Sequence, residues 1–450
     1  MNWIRSLQMS LDPLRRLWQS LAEKQQRFVA NAFVAAVVLV ALGFLDQSHW
    51  LLRLENTAMD TMMEFNKGLG RMSGTSGSQP MQFTFLDIDE TTYRSWNEPH
   101  HTPRDKVLQL VDFAAASEAR LIVVDIDLSK PGVNPDHDLA LANYLSGYGA
   151  VGSAPVILVR SFYSRTPGRN DWDEIRPSFL DSYELPTLIH WGQPLFQTTL
   201  WDGVVRHWNL ARFGCFDGRP VLVPSIQLTA AALLSDQPAV NRVADIETIG
   251  LESCQQRDAS GRAAGSDSDF TFESGIGQRL IFTIPWRAPA PDLVTIPAGI
   301  ITESADTLAS DLVRGRVVVI GASFAGSNDT HRTPIGEMPG ALIIVNAIKS
   351  LVVFGQLREP PAWVIWLQQL GVIVLAAWAF SRFDSFIAVG ITAAVIITLL
   401  VPVGFYFFKY GLWVGFSIPL LAMVIQRGFS EYRDVRRQMR STSTSAGTKG

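Results

Sequence analysis

The side chains in this sequence best suited to chemistry are carboxylates, and they fall at the ends of apolar runs. FTFLDIDE (83–90) closes with Asp87, Asp89 and Glu90, and LIVVDIDL (121–128) closes with Asp125 and Asp127. The run VVVIG (317–321) is followed, after a short polar loop, by Asp329. Carboxylates held together in a cleft raise one another's pKa unless a cation, an arginine or backbone donors compensate. A hard divalent cation, which takes oxygen ligands from several carboxylates, is one such compensation. The competing reading is structural: acids at strand ends cap the helices that follow, or pair with Arg104 and Arg332. Both readings extend to the polar loop with Ser323, Ser327, Asn328, Thr330, His331 and Thr333. The candidate ligand-binding set is therefore Asp87, Asp89, Glu90, Arg104, Asp125, Asp127, Asp329 and Thr333. A divalent cation stays open, and no organic cofactor is expected.

Other chemistries fit poorly. GASFAG (321–326) has the glycine spacing of a phosphate loop, but Ser327-Asn328 follows it in place of the required Lys-Ser/Thr. Asp329 and His331 would make part of a hydrolytic triad, yet no serine sits in a G-x-S-x-G elbow. DHD (136–138) reads as a polar helix start, and the histidines are too scattered for a zinc site.

Positioning the acids at one edge requires a parallel sheet. The pattern predicts strands at 82–88, 120–128, 156–159 and 279–285, with 202–210 and 219–223 as paired short strands. Helices are expected at 106–116, 136–145, 226–234 and 305–312. Strand alternating with helix implies βαβ units, whose right-handed crossovers bring the carboxyl ends of the strands to one edge. Residues 316–351 then supply the last strand, a functional loop and a returning helix. The stretch 161–197 is irregular, and SGRAAGSDSD (260–269) reads as a mobile polar insertion. The expected fold class is an α/β domain with a mainly parallel or mixed sheet, carried by four transmembrane helices, one N-terminal and three C-terminal.

The membrane reading comes from where the apolar residues lie. Of 450 residues 47% are hydrophobic, which is too apolar for a purely soluble chain, and the excess is concentrated. Residues 28–45 form a span without charge, preceded by a basic segment and without a small-residue cleavage site, hence an uncleaved signal anchor. Three further spans fill 361–426, joined by SRFD and KYG. Arg5, Arg15, Arg16, Lys24 and Arg27 before the first span, and Arg427, Arg433, Arg436, Arg437 and Arg440 after the last, place both ends on the cytoplasmic side. The domain order is then a cytoplasmic segment 1–27, a span 28–45, an external domain 46–360, the three spans 361–426 and a basic disordered tail 427–450. DPLRRLWQSL (12–21) reads as a short N-capped helix, and 54–66 as a stalk helix broken by GLGRMSGTSGSQP (68–80). A net charge of -4 argues against nucleic acid as a partner. Cys215 and Cys254 both fall in the external domain, where an oxidising compartment allows a disulfide whose existence the sequence leaves open. Gln368 and Gln369 favour contact with another helix over a transport path.

With these pieces in order, the external region resembles the second type of CHASE domain, a bacterial extracytoplasmic sensor found on cyclases and histidine kinases. The resemblance rests on LEN with a following Asp (54–60), FLDIDE (85–90), TPR (102–104), IVVDIDLS (122–129) and DGVVR (202–206). VVVIGAS with Asp329 and TPIG, then MPG followed by NAI (338–348), complete it. One span before the domain and three after it match too. Ile344 and Leu342 stand where relatives often carry a His and an acidic residue. The resemblance implies a sensor at a bacterial inner membrane with its domain in the periplasm. Relatives usually continue into a cytoplasmic output domain, whereas about two dozen residues follow the last span here, far fewer than a catalytic domain needs. The expectation is therefore a receptor, not an enzyme, that relays an unidentified signal through its helices to a separate cytoplasmic or membrane protein. Homo-oligomerisation stays open. The alternatives are an envelope assembly protein using the domain as a binding platform and, third, a periplasmic enzyme.

Overall fold

Six short runs lie side by side in one wholly parallel sheet: β1 (Phe83–Ile88), β2 (Leu121–Val124), β3 (Val156–Val159), β6 (Ile189–Gly192), β11 (Leu293–Pro297) and β12 (Val317–Ala322). Their order is β11-β1-β12-β2-β3-β6, so the last strand in the chain is inserted between the first two. This computed structural model describes residues 20–44, 49–69, 81–151, 154–163, 174–216, 219–235, 276–304, 308–408 and 410–415, with 421, 425, 428 and 432 singly. The expectations for 12–19, for 70–80, for 260–269, for most of the last span and for the tail fall outside them. The central strands are apolar at nearly every position because both faces are covered. On one face Leu86, Ile122, Val124, Val318 and Ile320 meet α4 (Arg104–Ala116), α5 (Pro135–Ser146) and α7 (Ala298–Ser304) through Leu110, Val111, Leu141 and Ile301. The opposite face, with Phe83, Phe85, Val317 and Val319 fully buried, carries α6 (Ile226–Leu234) and α8 (Gly340–Lys349).

The helices start where the sequence offers caps. Asp89 accepts the Thr92 amide at 2.8 Å to open α3 (Glu90–Ser95), Asn134 caps α5 with Pro135 at its first position, and Ser225 caps α6. α8 is buried on all sides and runs on as a π-helical turn, Ser350–Phe354, ending at Gly355 with φ +70°.

The segment 279–285 does not form the expected strand. Asn346 on α8 accepts the amides of Thr283 and Ile284, both at 2.9 Å, and donates to the carbonyls of Ile284 and Leu342 at the same distance. Ser350 takes the Ile281 amide at 3.1 Å. A side-chain ladder has replaced the neighbouring strand, which apolarity alone does not reveal. Its place in the sheet goes to β11, an edge strand that periodicity did not single out.

Nor do 202–210 and 219–223 pair with each other. β7 (Phe196–Thr198) pairs with β8 (Val205–Trp208), and β9 (Ala211–Phe216) with β10 (Arg219–Pro224), each antiparallel. β10 and β9 continue into a four-stranded sheet with β5 (Glu174–Ile175) and β4 (Phe162–Tyr163). ARFGCF supplies the missed partner, because adjacent strands prefer the nearest segment in sequence. Cys215 in β9 is disulfide-bonded; Cys254, the chain's other cysteine, lies outside the described residues. A last hairpin joins β13 (Thr330–Thr333) to β14 (Gly336–Pro339).

The chain divides into two compact units, Thr61–Leu357 and the remainder, Met1–Asp60 with Arg358–Gly450. In the second, α1 (Glu23–Phe44) packs on α9 (Ala362–Arg382). α9 turns back through Phe383 into α10 (Ser385–Val395), which continues through a π-helical turn, Ile396–Leu400, into α11 (Val401–Phe408). Two stretches, Ala362–Arg382 and Phe386–Phe408, are helices long and apolar enough to cross a membrane. Gln368 donates to the Gly415 carbonyl at 2.8 Å, which accounts for one of the two glutamines in α9. α2 (His49–Leu69) covers the stretch 54–66 expected to be helical and extends beyond both of its ends.

Candidate functional site

β12, the last strand in the chain, is inserted between β1 and β2, so the carboxyl ends of these three strands are neighbours, and in open α/β sheets ligands sit outside such ends. Asp87 lies opposite Gly321 in the β1–β12 register. On the other side of Gly321, the Asp125 amide donates to the Ile320 carbonyl at 2.8 Å. A Cβ placed on Gly321 would lie 3.5 Å from that of Asp125, 3.6 Å from Phe85 and 2.5 Å from that of Ala341. Asp87, Gly321 and Asp125 therefore form a row on the face covered by α8, and the glycine is the gap into which the start of α8 fits.

Asp329 completes the row from the loop. Its backbone carbonyl accepts the Gly340 amide at 2.9 Å and its Oδ2 accepts the same amide at 3.2 Å, so the carboxylate sits on the N-terminus of α8. A Cβ on Gly340 would come within 2.5 Å of Oδ2, so this close approach needs a glycine. The other carboxylate oxygen meets His331 Nε2 at 3.0 Å. Ser323 donates its hydroxyl to Asp87 Oδ2 at 2.8 Å, while Asp87 Oδ1 is buried without a hydrogen-bond partner.

Burial and like charge act together on these acids. Burial raises Asp87 to about 6, opposed by the Ser323 bond and assisted by Asp89. Burial also raises Asp125, to about 7, with repulsion from Asp329 adding to it and His331 opposing. The hydrogen bond that His331 donates to Asp329 raises its pKa against its own burial, helped by the charges of Asp329 and Asp125. The carboxyls of Asp87 and Asp125 are thus both shifted toward neutral pH, and the N-terminal dipole of α8 faces the Asp329 carboxylate.

The other sequence candidates are placed differently. Asp89 is spent as the cap of α3, and Glu90 pairs with Arg94 at 2.8 Å while accepting the Ala325 amide at 3.3 Å. Arg104 is buried and does not reach the row. Its guanidinium donates to the carbonyls of Asp127 and Lys130 at 3.0 and 2.9 Å and faces Asp138 at 3.7 Å, holding the loop after β2. Asp127 accepts the Ser129 amide and meets Arg176 at 3.4 Å. Its pKa is lowered, burial being outweighed by Ser129, Arg176 and Arg104. Thr333 is buried and donates to the Gly336 carbonyl, closing the hairpin. Arg332 pairs with Glu337 at 3.6 Å. Sequence reasoning gave no role to Gly321 and Gly340, whose lack of a side chain lets α8 and Asp329 approach. A Gly at the end of a buried strand and another at a helix start were the available signals.

Among the described residues, no three His, Cys, Asp or Glu side chains are grouped so as to hold a metal ion. No curated protein and no solved structure matches the chain. The family model of the CHASE2 domain does match, over residues 33–383, from within α1 through the whole parallel sheet to the turn after α9. On that match, which spans more than half of its length, the chain belongs to the CHASE2 family of bacterial extracellular sensor domains.

Proposed function

We propose that this chain is a bacterial inner-membrane receptor. Its domain at 46–360 detects a signal in the periplasm and passes it through four spans, 28–45 and three within 361–426, to a separate partner protein. It catalyses no reaction of its own in this reading. The observation that carries the reading is the continuity of the CHASE2 match, which joins the sensing sheet to α9 in one family unit. The route is also continuous along the chain: Asp329 sits on the start of α8, α8 runs through its π turn to Gly355, and only 358–361 separate the domain from α9. The basic residues flanking the first and last spans support cytoplasmic ends. A ligand shifts such a device only by binding one arrangement more tightly than another. The residues assigned to that difference are Asp87, Asp125 and Asp329.

Purification of the full chain from native membranes tests the relay. A stoichiometric partner whose association changes on Asp329→Ala supports it. A complex indifferent to that substitution points instead to an envelope scaffold, and the absence of any partner contradicts the relay.

A further inference from the structure

Asp87, Asp125 and Asp329 lie at the carboxyl ends of the strands where α8 begins, and each is held differently. Asp329 is fixed by the Gly340 amide and His331. Asp87 is fixed by Ser323 through one oxygen only, and its second oxygen is enclosed with no donor although the residue is just 6% exposed. A buried carboxylate oxygen without a donor is costly when charged and inexpensive when it carries a proton. Asp125 faces Asp329 and His331 across the Gly321 gap. The charged groups acting on the row can be taken element by element. Asp89 comes from the loop after β1, and Glu90 next to it is engaged by Arg94. Asp329 comes from the loop after β12 and His331 from β13. On α8 the basic residue is Lys349, nine positions after Gly340 and bonded to Asp292 at 2.6 Å.

We infer that the Asp87–Gly321–Asp125 row beneath the start of α8 is a proton-binding site, and that its proton occupancy decides whether Asp329 stays seated on the Gly340 amide. With protons on Asp87 and Asp125, Asp329 is the single anion at the helix start and protonated His331 pairs with it. When both protons leave and His331 becomes neutral, three carboxylates crowd one helix end. The one carried by a loop, Asp329, is then the least restrained. The signal class is accordingly the hydrogen ion of the surrounding compartment. This inference rests on the reading of the domain as a sensor, and both near-neutral acids shift in the direction it needs.

Amide hydrogen exchange on the full chain in lipid nanodiscs tests it, with rates corrected for the intrinsic effect of pH. From about pH 5.5 to about pH 8.5, protection at 340–343 should fall by about tenfold in the unaltered protein. Asp125→Asn, neutral at every pH, should keep the protection at the higher pH, and Asp87→Asn should do so in part. Unaltered protection across the pH range overturns the inference, as does full pH dependence retained in Asp125→Asn. If that variant does not fold, the unaltered protein and Asp87→Asn decide the matter by the same criterion. The sensor reading fails separately. A pH response at 340–343 with no change in α9 supports the proton site and removes the relay, whereas a partner-dependent response without any pH effect removes the proton site alone.

Discussion

Asp87, Asp125 and His331 each have a raised pKa in the folded domain, and all three therefore act on stability in one direction. A group raised above its unfolded value contributes stability that is fully present below the unfolded pKa and lost as pH rises through the folded one. For the two acids the window runs from about 4 to about 6 and about 7. Asp87 alone represents about 3 kcal/mol at most across it. Asp127 and Asp202, whose pKa values are lowered, act oppositely and dominate below about pH 4. His207 and His190, both lowered by burial, gain stability as pH rises toward about 6.5 and oppose the acids there. The comparison is therefore between proteins: the thermal midpoint of Asp87→Asn relative to the unaltered protein should rise from about pH 5 to about pH 8, and a relative midpoint that stays level or falls would contradict the assignment. Asn346 offers an independent check. Its side chain serves two amides and two carbonyls inside the core, so Asn346→Ala should cost roughly 3 kcal/mol or more in chemical unfolding, from buried groups left unpaired.

At the scale of elements, the contact between β12 and α8 is the one that sets the site. Gly321→Ala brings a methyl group within 2.5 Å of the Ala341 methyl, so α8 must move away from the sheet. The expected loss is roughly 1–3 kcal/mol, and Ala341→Gly in the same chain should recover part of it. Additive losses in that double variant would show that the two residues do not meet. The strands and helices around this contact were legible because their signals are local. The apolar run at 156–159 and the Ser225-capped stretch at 226–234 coincide with β3 and α6. What escaped depends on distant partners. The run at 279–285 has the composition of a strand, but Asn346, more than sixty residues later, takes its backbone groups. The acids were legible as a set, yet not their division. Arg104 has the chemistry of a ligand-binding residue, and only the fold shows it occupied by the carbonyls of its own loop.

For the whole molecule, the chain has a parallel sheet, a buried helix that begins at the carboxyl ends of its central strands, and membrane-length helices that follow after a few residues. In the proposed relay, the state of the strand ends reaches those helices. A nitroxide attached through Val374→Cys, an exposed position on α9, reports on this in the full chain reconstituted in lipid nanodiscs. Its spectrum should be compared with that of the same chain carrying Asp329→Ala, once both are shown to keep the same thermal midpoint. Removing the carboxylate from the start of α8 should change the mobility or polarity sensed at Val374→Cys. Superimposable spectra from the two proteins would contradict the relay.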